Sequence, residues 1–216
     1  MLSGLRLAAV LILVAVAAYV AFSGCATMGP KRAPIASLSD TLDVQTRTDT
    51  LVAFSEKYPK DPEVFFELGN EYYDQADAPD ARANYEKALS LDPEMTKARV
   101  NLAMLVAEAG EPDSALMMLD AVIKEHPKDS RALTNLGMIY FNQKDYDTAV
   151  KYYAQAIAVD PKNAEAHYNL GVAFAETGLL LEALKEWNTV LEITPEGDTA
   201  QRAQLGIERV EGSLTK

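Results

Sequence analysis

The sequence predicts an all-α protein built as a solenoid of stacked helix pairs, and three observations carry that prediction. The first is a strict period: the pairs Leu68-Gly69, Leu102-Ala103, Leu136-Gly137 and Leu170-Gly171 follow one another at a single unvarying interval. Its length, about 34 residues, is that of a two-helix repeat unit. The second is the spacing of apolar residues within each period. In the clearest copy, residues 130–163, Leu133, Leu136, Gly137 and Tyr140 recur at helical intervals, as do Ala149, Tyr153 and Ala156, so each half is one amphipathic helix. The third is termination at a fixed place. Pro93, Pro127, Pro161 and Pro195 close the four periods, because proline cannot continue a helix and biases the residue before it toward extended backbone. A helix pair of this size cannot bury its apolar faces alone and must stack on its neighbours.

Residues 1–24 begin with Arg6 and continue in an uncharged apolar run from Leu7 to Phe22, the pattern of an export signal. The run ends at Ser23-Gly24 before Cys25, the only cysteine in the chain, which therefore has no partner for an internal disulfide. This stretch is similar to a bacterial lipobox, with Phe22 where leucine is usual. The similarity implies removal of the signal, lipidation of Cys25 and, with Ala26 rather than aspartate next, an outer-membrane lipoprotein facing the periplasm. An inner-membrane location and an uncleaved signal anchor remain as alternatives, since the run lies between a signal core and a spanning helix in length. Lys31 and Arg32 balance Arg6 and the amino terminus, so charge alone leaves the orientation, and with it a cytoplasmic domain, open.

Residues 25–39 are small and polar with Pro30 and Pro34, and read as a flexible tether of about 20 Å reach. Residues 40–61 are expected to form an N-terminal capping helix, with Val44, Leu51, Val52 and Phe54 facing inward and Pro59 as its stop. Pro59 lies one full period before Pro93, which puts this helix where the second half of a preceding repeat would be. Four repeats follow, over residues 62–95, 96–129, 130–163 and 164–197. In each, a small residue (Gly69, Ala103, Gly137, Gly171) stands where a large one would hold the two helices apart. Residues 198–216 are expected to form a C-terminal capping helix. Asp198 is its expected cap, and Ala203, Ile207, Val210 and Leu214 form its apolar stripe. Leu205-Gly206 follows Leu170-Gly171 one position later than the period requires.

The anchors of residues 130–163, namely Leu133, Leu136, Gly137, Tyr140, Ala149, Tyr153, Ala156 and Pro161, follow the W-x2-L-G-x2-Y, A-x3-F, P pattern. The sequence thus resembles the tetratricopeptide repeat family, and the resemblance implies a right-handed α-α superhelix whose first helices line a concave peptide-binding groove. Carried over position by position, it implies that Phe66, Asn70 and Tyr73 in the first repeat line that groove. Lys97, Asn101 and Met104 do so in the second, Arg131, Asn135, Met138 and Phe141 in the third, and Tyr168 and Asn169 in the fourth. Asparagine both donates and accepts hydrogen bonds and suits a peptide backbone, aromatics and methionine give adaptable apolar contact, and Lys97 and Arg131 suit a carboxylate. Phe66 stands where the family's two-carboxylate clamp needs a lysine, so recognition of chaperone C-termini is not implied.

Charge and chemistry narrow the function. The first 33 residues hold three of the 20 basic residues and none of the 32 acids, so the remainder has 17 against 32 and a net charge near −15. Such a surface disfavours nucleic acid and anionic headgroups. His126 and His167 fall in a turn and at a helix-packing position, and no metal-ligand spacing, phosphate loop or nucleophile with an adjacent base is present, so neither enzyme nor cofactor is expected. The reading is a membrane-anchored adaptor that docks protein or peptide segments in its groove. It resembles in architecture the repeat lipoproteins of type IV pilus secretin, barrel-assembly and cell-wall hydrolase systems. The second reading is a homo-oligomeric, self-assembling scaffold.

Overall fold

The computed structural model describes Ile35 and residues 43–214. The chain divides into two units, residues 1–32 and 33–216, and the description concerns the second. The export signal, Cys25 and most of the tether lie outside the described residues. The described residues form ten helices and no strand: α1 (Val44–Lys57), α2 (Pro62–Asp74), α3 (Ala78–Leu91), α4 (Thr96–Glu108), α5 (Pro112–Glu125), α6 (Ser130–Asn142), α7 (Tyr146–Val159), α8 (Ala164–Glu176), α9 (Leu180–Ile193) and α10 (Asp198–Leu214). Among them no helix is long and apolar enough to cross a membrane. Consecutive helices pack on one another throughout, and α4 touches α6, α6 touches α8 and α8 touches α10. The first helices of the repeats therefore form one layer and the second helices another, the α-α solenoid that the period predicts.

Local chemistry sets the helix ends. Asp61, Asp77, Asp129, Asp145 and Asn163 each cap a helix by accepting a hydrogen bond from a first-turn amide, for example Ala132 N to Asp129 Oδ1 at 2.9 Å. The turn inside each pair uses one residue in the left-handed region, at Ala76, Gly110, Lys144 and Gly178, again spaced by the full period.

The pairs are held together by an aromatic ring seated on a glycine. A Cβ on Gly69 would lie 2.5 Å from the Tyr85 ring, one on Gly137 2.5 Å from Tyr153, and one on Gly171 2.5 Å from Trp187. The second repeat makes the same contact with a smaller pair, Ala103 and Leu119, both fully buried in one cluster. Each core is then closed by the first helix of the next repeat. Leu102 and Leu105 of α4 complete the cluster around Tyr85, and Leu170 and Ala173 of α8 complete the one around Tyr153.

Helices α1 and α10 flank the four pairs, with differences from the sequence reading. In α1, Leu51, Phe54 and Tyr58 are buried against Val64 and Leu68, whereas Val44 and Val52 are exposed. The helix turns its polar side inward at Thr48, which accepts a hydrogen bond from Gln75 (2.9 Å), and at Arg47, which pairs with buried Glu71 (2.6 Å). Ile35, expected in the flexible tether, packs on the Leu51–Phe54–Tyr58 cluster, so at that point the leader is part of the folded body. In α10, Asp198 is the first helical residue rather than its cap and pairs with Arg202 at 2.8 Å. Ala203, Ile207 and Val210 are buried as expected, and the Leu214 side chain lies outside the described residues. Leu205 is 64% exposed, unlike the buried Leu68, Leu102, Leu136 and Leu170 of the four repeats. The register of the repeats in fact continues unbroken, with buried Ala200 and Ile207 one period after buried Ala166 and Ala173.

The glycine-ring contact makes a direct prediction. Gly137→Ala is expected to destabilise the protein by about 1–3 kcal/mol, since the new methyl group overpacks a filled site. Adding Tyr153→Leu, which recreates the Ala103–Leu119 pair, is expected to recover part of the loss in urea-denaturation midpoint.

Candidate functional site: the inner face of the first helices

The inner face begins with a side chain from the outer layer. Because Gly69 has no Cβ, Tyr85 passes beneath it and brings its hydroxyl to the inner side of α2, where it donates to Asn70 Oδ1 at 2.9 Å. Asn101 Nδ2 on α4 donates to the same oxygen at 2.9 Å, and the Arg131 guanidinium on α6 donates to Asn101 Oδ1 at 3.1 Å. Three repeats are thus joined by one polar chain. Beside it lies a cavity of about 180 Å³ lined by Tyr73, Tyr85, Asn101, Met104, Asn135 and Met138. Tyr73 donates to Glu108 at 2.6 Å across the repeat boundary.

The residues expected in the groove therefore fall into distinct groups. Asn70, Tyr73, Asn101, Met104, Arg131, Asn135 and Met138 come together at the central cavity or in the hydrogen-bonded chain beside it. Asn70 and Asn101 are committed to internal hydrogen bonds, and Asn169 leans on Glu165 at 3.5 Å. Asn135 lines the cavity and makes no side-chain hydrogen bond with any described residue. Phe66 is not a groove residue. It is 5% exposed and packs in the core against Tyr85, their ring centres 6.0 Å apart. Lys97 is not a free cation either: it pairs with Glu63 and lies over the Phe66 ring, 4.2 Å from its centre. Phe141 sits half-buried against Tyr146, with ring centres 5.2 Å apart. Cys25 lies outside the described residues.

The inner face also extends beyond the residues expected. A second hollow, of about 540 Å³, lies between α8 and α10. It is lined by Tyr168, Val172, Ala175 and Glu176 and by their images one period later, Arg202, Gly206, Arg209 and Val210. The signal was present in the sequence as the plain continuation of the period. The Leu205-Gly206 pair, one position out of register with the earlier Leu-Gly pairs, masks it. Arg202 is held in place by Glu165 (2.9 Å) and by the face of Tyr168 (4.5 Å to the ring centre).

The two histidines have separate, structural surroundings. His126 is exposed, and buried His167 sits between Glu186 (2.7 Å) and the Pro161 carbonyl oxygen (3.2 Å). Burial pushes the Tyr85 phenol up to about 12, only partly opposed by its hydrogen bond with Asn101, and burial raises Tyr73 and Tyr153 as well. The folded protein thus favours neutral Tyr85. Its contribution to stability is complete below the ordinary phenol value of 10.0 and is lost as pH rises through about 12. In a 295 nm absorbance titration, Tyr85→Phe is expected to remove a transition near pH 12.

Comparison with known proteins agrees with this architecture. The family described as "Tetratricopeptide repeat" matches residues 72–139, and the one described as "TPR repeat" matches residues 137–178. No curated protein matches the chain by sequence. Among solved structures, TTC0263, a thermophilic TPR protein of Thermus thermophilus, is 20% identical with a TM-score of 0.69, over 76% of this chain and 90% of its own. PilF of Pseudomonas aeruginosa is 20% identical with a TM-score of 0.62, over 71% and 69%. MamA of Desulfovibrio magneticus RS-1 is 22% identical with a TM-score of 0.54, over 72% and 88%. At these identities the likeness is one of fold. With four helix pairs in one unbroken register and the two family matches together spanning residues 72–178, these helix pairs are tetratricopeptide repeats.

Proposed function

We propose that this protein is an adaptor of the bacterial cell envelope, held to a membrane through lipidated Cys25 and docking a segment of a partner protein along its inner face. The observation that carries the docking role is the central cavity. It is bordered by Tyr73, Met104 and Met138 for apolar contact and holds Asn135, whose amide has both a donor and an acceptor unused among the described residues. Because the neighbouring polar groups are already bonded to one another, the site is preformed and little is lost in ordering it on binding. The apolar run before Cys25 supports export and anchoring, and Ala26 supports the outer membrane. Secretin, barrel-assembly and wall-hydrolase complexes are the partner systems that this combination of anchor and groove suits.

A self-assembling scaffold is the second reading, favoured by Leu205, a large apolar side chain left exposed on the last described helix, α10, where a second copy would cover it. Photocrosslinking in cells from position 141, replacing half-buried Phe141 on α6, separates the two. An envelope protein in the adduct supports the adaptor, an adduct only with a second copy supports the scaffold, and a cytoplasmic partner overturns the envelope location. Cys25→Ser is expected to abolish lipid labelling and move the protein to the soluble fraction. For the purified domain, Asn135→Ala is expected to weaken binding of the captured segment about tenfold, the loss of one or two hydrogen bonds.

A further inference from the structure

The larger hollow between α8 and α10 is built unlike the central one. Its floor is apolar, formed by Val172 and Ala175 from α8, Leu180 and Trp187 from α9, and Val210 from α10. Gly206 helps to keep it open. A Cβ there would already lie 3.0 Å from Trp187, so no side chain stands between the ring and the hollow. At about 540 Å³ it falls within the range of about 300–1,000 Å³ typical of sites that enclose a ligand. Its rim carries three charged side chains. Arg202 is spent on Glu165, on Asp198 and on the face of Tyr168. Arg209 on α10 and Glu176 on α8 line the same hollow, are both exposed, and make no ion pair with each other or with any other described residue. Elsewhere on the inner face the cations are engaged, Lys97 with Glu63 and Arg131 with Asn101.

We propose that this hollow is a second anchor site of the groove, taking a bulky apolar side chain that a partner segment carries between an acid and a base. The apolar group fills the floor against Trp187, the acid meets Arg209 and the base meets Glu176. Charges of opposite sign on opposite walls fix the direction of the segment, because the reversed order brings like charges together. The proposal rests on the docking role of the inner face, which it makes specific.

The test is a displayed nonapeptide library selected on the wild-type domain and rescreened on three variants. Enriched peptides are expected to carry a large apolar residue flanked by an acid and a base in one consistent order. They are also expected to change the fluorescence of Trp187, the chain's one tryptophan. Ala175→Phe, which fills the hollow, is expected to weaken them at least tenfold. Arg209→Glu, at an exposed position where folding is not at stake, is expected to weaken them at least fivefold and to relax the charge order. Peptides without this pattern, or indifferent to both variants, would overturn the proposal. Loss with Asn135→Ala but not with Ala175→Phe or Arg209→Glu leaves the groove reading standing and removes this one. Loss with Ala175→Phe and Arg209→Glu but not Asn135→Ala supports the second anchor alone, and absence of any enrichment counts against both.

Discussion

The fold depends on a missing atom. Each helix pair closes only because position eight of the first helix is small enough for a ring or a leucine from the second to lie flat against its backbone. Close packing of this kind gains dispersion from many weak contacts at once and tolerates no additional methyl group. The same contact reaches the functional surface. Tyr85 spans the thickness of the solenoid, apolar ring in the core and hydroxyl among the inner-face amides, so core packing and groove chemistry share one side chain. A change that unseats the ring also disturbs the hydrogen bonds joining Asn70 to Asn101 and, through it, Arg131.

Much of this was legible in the sequence because a repeat protein writes each packing rule several times. The period, the helix ends, the small residues and the closing prolines recur four times, and the structure follows all of them. What the sequence hid were single departures from the period. Val44 and Val52 read as core because they are apolar, yet the orientation of α1 follows Arg47, Thr48 and Leu51 instead. Phe66 read as groove lining because of its position number. A phenyl ring gains more beside Tyr85 and beneath the Lys97 ammonium than in water, and it is drawn inward. The contribution of α10 to the inner face was masked by a Leu-Gly pair that lies one position out of register.

The distribution of charge gives the inner face its character. Overall acidity is strong, yet along this surface acids and bases meet in pairs across repeat boundaries, as Glu63 with Lys97 and Glu165 with Arg202 do. Such partly exposed pairs add little to stability. Their larger effect is on recognition, since they remove the repulsion an acidic solenoid would otherwise show to an acidic partner and leave the few unmatched groups to decide orientation.

The four hairpin turns differ in one respect that bears on how the chain reaches this state. All four place a residue in the left-handed region, but two use Gly110 and Gly178 while two use Ala76 and Lys144. For a residue with a Cβ that conformation costs roughly 1–2 kcal/mol, and before the helices have packed nothing offsets it. Folding of a solenoid can start at any repeat and spread to its neighbours. In this chain the hairpins α4–α5 and α8–α9 close without that local penalty, and the neighbouring hairpins α2–α3 and α6–α7 have a growing surface to fold against. The order of assembly is thereby biased by two glycines that make no contact in the finished structure within 4 Å of where a side chain would begin.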